Sequence, residues 1–108
     1  MFDTNYQLRY LPLFYEDLSR VVTYISENLN NAKAARDLID SVEDAILKRL
    51  STAESFEPYK SGINRKYPYY RIYVKNYIVF YVVTEEGNTK IMEVRRLLYN
   101  KQDRDTLI

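Results

Sequence analysis

Chemistry in this chain has to come from carboxylates, tyrosines, lysines, arginines and backbone groups, because its 108 residues include no cysteine and no histidine. That removes thiolate nucleophiles, zinc sites built on Cys or His, and the usual general base near neutral pH. The groups with reach gather in the second half. Residues 51 to 66 (STAESFEPYKSGINRK) carry Glu57, Lys60, Arg65 and Lys66; then come Arg71, the adjacent Arg95 and Arg96, Tyr99 and Lys101. Arginine presents a planar fork of donors matched to phosphate and carboxylate oxygens. A carboxylate can take a proton and a tyrosine can give one. The same residues, set apart from each other, are simply solvated charges, and residue type alone leaves both readings open.

Charge order sharpens the first reading. Residues 1 to 57 hold 6 Lys/Arg against 10 Asp/Glu, whereas residues 58 to 108 hold 10 against 5, so a net charge of +1 conceals an acidic first half and a basic second half. Such a split points to a cationic face for phosphate-rich or acidic partners beside a solvated acidic helical face. Hydrophobic residues at 46% and charged residues at 29% are ordinary for a globular protein. The length sets one domain, 1–108, around a single core. No apolar run approaches the roughly 20 residues of a membrane span. The first 30 residues lack the basic start and apolar core of a signal peptide, so a cytoplasmic location is expected.

The elements that must position these groups follow from periodicity. Tyr6 to Leu11 alternates as a short strand that Pro12 stops. Proline suits the first turn of a helix, here residues 12 to 29, with Leu18, Val21, Val22, Ile25 and Leu29 along one stripe and Glu16 and Asp17 near the positive end of its dipole. After the polar break Asn28 to Asn31, a second stripe runs through Ala34 or Ala35, Leu38, Ile39, Val42, Ile46 and Leu50. The short connection makes the two helices antiparallel neighbours. Residues 51 to 66 lose all periodicity and form a loop back to the sheet.

Residues 67 to 103 contain three runs rich in Tyr, Val and Ile, divided at Lys75-Asn76 and Glu85-Glu86-Gly87-Asn88. They read as a three-stranded antiparallel meander. In the first strand Tyr70, Ile72 and Val74 suit the helices, leaving Arg71, Tyr73 and Lys75 as a cationic aromatic row on the other face or edge. Residues 77 to 84 are apolar on both faces and belong at the centre. Alternation sends Arg95 and Arg96 to opposite faces unless a bulge intervenes. Six of the 12 tyrosines lie between residues 67 and 81, where packing explains most of them and base stacking is possible. A short helical turn is expected at Lys101 to Leu107. The fold class is α+β, in the order strand, helix, helix, strand, strand, strand: two antiparallel helices on one side of a small sheet, with a positively charged hollow open on the far side.

Four pieces in this order, YQLRYLPLFYEDLSRVVTYI, FEPYK, NYIVFYVV and VRRLLYNKQDRDTLI, resemble the RelE/ParE superfamily of bacterial toxins, the toxic halves of type II toxin–antitoxin pairs. The resemblance covers nearly the whole chain. It implies a cognate antitoxin protein that wraps the toxin, no metal or other cofactor, and one of two activities on a shared fold. RelE-like members cut messenger RNA in the ribosomal decoding site; ParE-like members poison DNA gyrase. Fold alone does not choose between them.

For the messenger-RNA endoribonuclease that this resemblance makes the leading reading, attack by a 2′-hydroxyl needs a base, positive charge on the phosphorane and an acid for the leaving oxygen. The piece FEPYK is similar to the E-P-L-K piece of YoeB-like toxins, which makes Glu57 the candidate base. Arg71 and Arg96 are the candidate phosphate ligands, Arg96 because the family's recurrent arginine lies three residues before an aromatic or histidine position, here Tyr99. Tyr99 itself is the candidate acid or stacking group. Lys60, Arg65, Lys66 and Lys101 are candidate contacts to RNA backbone, where cations add affinity without sequence choice. One departure stands against cleavage: the arginine that RelE-like nucleases usually carry before the L-V-Y of the central strand is Ile78 here. That substitution fits a non-catalytic gyrase inhibitor equally well. A non-toxic nucleic-acid-binding module is the third reading.

Overall fold

The computed structural model describes residues 6–60, 65–101 and 107–108. Strand β1 (Tyr6–Tyr10) leads into helix α1 (Pro12–Thr23), a wide π-type turn (Tyr24–Asn28) and helix α2 (Ala32–Arg49). A single 3-10 turn (Leu50–Thr52) and an irregular segment then reach the meander β2 (Tyr70–Val74), β3 (Tyr77–Glu86) and β4 (Thr89–Tyr99). The turn expected at Lys101 to Leu107 falls on residues 102–106, outside the described residues.

Strand order is β1-β4-β3-β2, with β1 parallel to β4 and the other pairs antiparallel. Parallel pairing needs a long crossover, and the two helices supply it. Both β3 and β4 are therefore interior strands, so the meander accounts for three quarters of the sheet and β1 closes it beside the last strand. Pro12 occupies the first turn of α1. Between the helices, Asn30 takes a left-handed conformation (φ 51°) and the Asn31 side chain caps α2 by accepting from the Ala34 amide at 3.0 Å. No helix among the described residues is long and apolar enough to cross a membrane.

Two packed layers flank the sheet. On the helical side, Phe14, Leu38, Val42 and Ile46 close over Tyr70, Ile72, Val79, Tyr81, Met92, Val94 and Leu97. On the far side, Tyr69, Ile78, Phe80, Val82 and Leu98 form a second cluster beneath Tyr59, Tyr67 and Ile108. The open hollow expected there is filled. The cause was visible in β3, whose Ile78, Phe80 and Val82 are fully buried; each such side chain stabilises the fold by about 1.5–3 kcal/mol when removed from water. A strand apolar on both faces needs cover on both, and the segment returning from α2 provides it.

Candidate functional site

The register between β3 and β4 slips once. Phe80 pairs with Arg96 and Tyr81 with Val94, leaving Arg95 as the extra residue of a β-bulge. Val94 and Leu97, three apart, consequently both face the helical core. The two arginines then part. Arg95 Nε donates to Glu93 Oε1 at 2.8 Å and its Nη1 to the Tyr69 hydroxyl at 3.3 Å, on the far face. Arg96 turns to α1, where Nε and Nη2 donate to the two Asp17 oxygens at 2.7 and 3.0 Å. A third bond runs from Arg96 Nη1 to the Leu107 carbonyl.

Asp17 is 1% exposed and also accepts from the Leu97 amide at 3.0 Å. Strand β1 stops opposite Val94, so beyond that point β4 has no neighbouring strand on this edge, and a helix carboxylate satisfies a backbone donor there. Sequence reading placed Asp17 in the helix dipole and missed this role. The signal was present: Phe14, Asp17, Leu18 and Val21 share one helical stripe, and a carboxylate on an apolar stripe needs a buried partner.

Beside this edge lies a groove of about 660 Å³ whose walls include Arg20, Tyr24, Tyr77, Arg96, Tyr99 and Leu107. It brings Arg96 and Tyr99 together. Tyr99 is 39% exposed and its ring meets that of Tyr77 edge-on at 5.8 Å.

Glu57 and Arg71 lie elsewhere. Glu57 is exposed on the segment after α2 and pairs with Lys60 at 3.4 Å. Arg71 stands on β2, the opposite edge of the sheet, with its guanidinium 5.3 Å from the Tyr59 ring and 5.8 Å from the Tyr73 ring. Arg65 lies 5.2 Å from the Tyr69 ring and Lys66 5.3 Å from the Tyr67 ring. Lys101 is exposed just past β4. Ile78, where related nucleases carry arginine, is 0% exposed inside the far cluster. The four candidate catalytic groups thus divide between two edges, Arg96 with Tyr99 and Arg71 with the Glu57 segment.

Two further polar centres support the scaffold. Glu93 receives Arg9 Nη2 at 2.6 Å as well as Arg95; burial pushes its carboxyl up, and the bonds from Arg9 and Arg95 more than offset this, leaving it below its ordinary pKa. The buried Tyr81 hydroxyl donates to the Ala53 carbonyl at 2.7 Å and accepts from Arg49 Nη1 at 3.0 Å. Burial raises its pKa against the opposing pull of Arg49. Arg49 also caps the Arg71 carbonyl on the β2 edge at 3.2 Å and lies 3.5 Å from the Phe56 ring, tying the connecting segment to the sheet.

Comparisons with known proteins agree with this architecture. No curated protein matches the chain in sequence. A solved structure of the chromosomal ParDE toxin–antitoxin system from P. aeruginosa is similar in fold, with a TM-score of 0.65 at 9% identity over 88% of this chain and 96% of that one. Residues 8–104 match the model of the ParE toxin of the type II toxin–antitoxin system parDE. That match spans the helices, the bulge and all of the sheet but the first two residues of β1, and by it the chain belongs to the ParE toxins of type II toxin–antitoxin systems, a membership that implies a cognate antitoxin as its partner.

Proposed function

We propose that this toxin acts by binding its target, DNA gyrase, and not by cutting messenger RNA, with the antitoxin holding it inactive. The observation that carries the reading is the commitment of Arg96. Its guanidinium is held by the buried Asp17 carboxylate, so it brings little uncompensated positive charge to a phosphorane. The candidate base Glu57 is exposed on the segment leading to the other sheet edge and is paired with Lys60. A base, a phosphate ligand and an acid around one scissile bond are what RNA cleavage requires; Ile78 in the core adds no cation. The match to ParE toxins supports the same choice.

Ribosome-dependent cleavage keeps one observation in its favour, the shared groove of Arg96 and Tyr99. One pair of measurements separates the two. Purified protein added to gyrase and relaxed plasmid is expected to block supercoiling, while induction in cells leaves messenger RNA intact at mapped 5′ ends. Cleaved messages with unimpaired supercoiling overturn the proposal in favour of the nuclease. If neither supercoiling nor messages are affected, the toxin has another target.

A further inference from the structure

Across the far face runs a row of rings with cations set over its two ends. Phe80 lies between Tyr59 and Tyr69, with ring centroids 5.5 and 6.1 Å away and both contacts edge-on. Arg71 sits over the outer side of this row, between Tyr59 and the 59%-exposed Tyr73, while Arg65 sits over Tyr69. Lys66 adjoins Arg65 over Tyr67. The other cations of the sheet are spoken for: Arg9 and Arg95 by Glu93, Lys90 by Glu54, Arg96 by Asp17. Among the described residues, Arg65, Lys66 and Arg71 contact rings and no carboxylate.

We propose that this row is a docking face for a nucleic-acid single strand, with Arg65, Lys66 and Arg71 on the phosphodiester backbone and Tyr73 offering its exposed ring to a base. Three features favour a nucleic acid over an acidic protein segment. The rings hold the guanidinium planes on an aromatic shelf, leaving their donors for phosphate oxygens. Cations that meet no carboxylate among the described residues, carried on one face, suit a backbone of repeated charge. An exposed aromatic beside them adds stacking, which a carboxylate-rich peptide does not use. The inference stands apart from the choice of gyrase or messenger RNA as target, and its test contains neither enzyme nor ribosome.

Fluorescence anisotropy of the purified protein with short labelled oligothymidylate and oligouridylate provides that test. With three phosphate contacts, affinity falls about twentyfold between about 50 and 200 mM salt. Arg65→Gln/Arg71→Gln reduces the salt exponent to about 0.7, the value left by one contact. Tyr73→Ala weakens binding about tenfold with the salt exponent unchanged. Should the Arg71 change unfold the protein, Arg65→Gln/Lys66→Gln lies wholly on the connecting segment and is expected to reduce the exponent equally. Preference for oligouridylate identifies RNA as the source of the strand, and equal or better binding of oligothymidylate identifies DNA. Lys33→Gln/Lys48→Gln on α2 leaves binding unchanged. The proposal is overturned if that α2 variant is as damaging as the far-face one, if polyglutamate displaces the oligonucleotides charge for charge, or if duplex DNA alone binds.

Discussion

Arg71 and Arg96 flank the same residue, each paired across the sheet with Phe80, about 10 Å apart by strand spacing. Their fates are opposite. At the β4 edge, Arg96 is 14% exposed and joined to a carboxylate that is 1% exposed; its charge is consumed in closing the fold. At the β2 edge, Arg71 rests on tyrosine rings and, among the described residues, meets no carboxylate. What an arginine can do for function is decided less by its strand position than by whether a buried carboxylate has claimed it.

Breaking the claimed side should cost most. Asp17→Ala strands the Arg96 guanidinium and the Leu97 amide, and chemical unfolding is expected to show a loss of about 3–5 kcal/mol, as for one partner removed from a buried pair. A loss under about 1 kcal/mol would erase the contrast between the edges. Next, Tyr81→Phe leaves the Ala53 carbonyl and Arg49 without the hydroxyl and is expected to destabilise by about 1–3 kcal/mol. It would also loosen the segment bearing Glu57, read as faster amide exchange there.

A smaller effect is set by pH. The carboxyl of Glu93 titrates below its ordinary value in the folded state, so its contribution is present above the unfolded carboxylate pKa of about 4.3 and is lost as pH falls through the lower folded one. Glu93→Gln should therefore flatten the acid limb of a stability-versus-pH curve; an unchanged limb would show that Arg9 and Arg95 do not hold this carboxylate. Least of all, Glu57→Gln at the exposed Lys60 pair is expected to leave unfolding unchanged, and under the gyrase reading to leave toxicity unchanged as well. Lost toxicity in a folded Glu57→Gln protein would return the catalytic reading to first place.

The helices were legible because their stripes are. Ala35, Leu38, Val42 and Ile46 are buried as their spacing requires, whereas Leu29 ends 56% exposed because α1 gives way to a π-type turn at Tyr24. Meander boundaries were readable from Lys75-Asn76 and Gly87, both turns with positive φ. Less of the site could be read. Alternation cannot reveal a bulge that depends on pairing between β3 and β4, so the placement of Arg95 and Arg96 was open. Nor does any local pattern announce that Tyr59 and Tyr69 will roof Phe80, since that contact joins a segment without periodicity to a distant strand. Asp17 was the exception, a residue whose spacing was informative and was read only for its charge.

The single unmatched residue in β4 also fixes the parity of everything after it. Straightening the strand with Arg95 kept in it would pair Arg95 with Phe80 and Arg96 with Val79, and inside would exchange with outside from there onward. Leu97 would leave the helical core for the roofed face, Leu98 would take the reverse path, and the arginine now held by Asp17 would have to aim at helix packing. A one-codon deletion of Arg95 would leave the observed sorting intact, because Arg96 would still face Phe80 and Leu97 would still face Val79; the extra residue is what lets a longer strand keep the same side chains on the same faces.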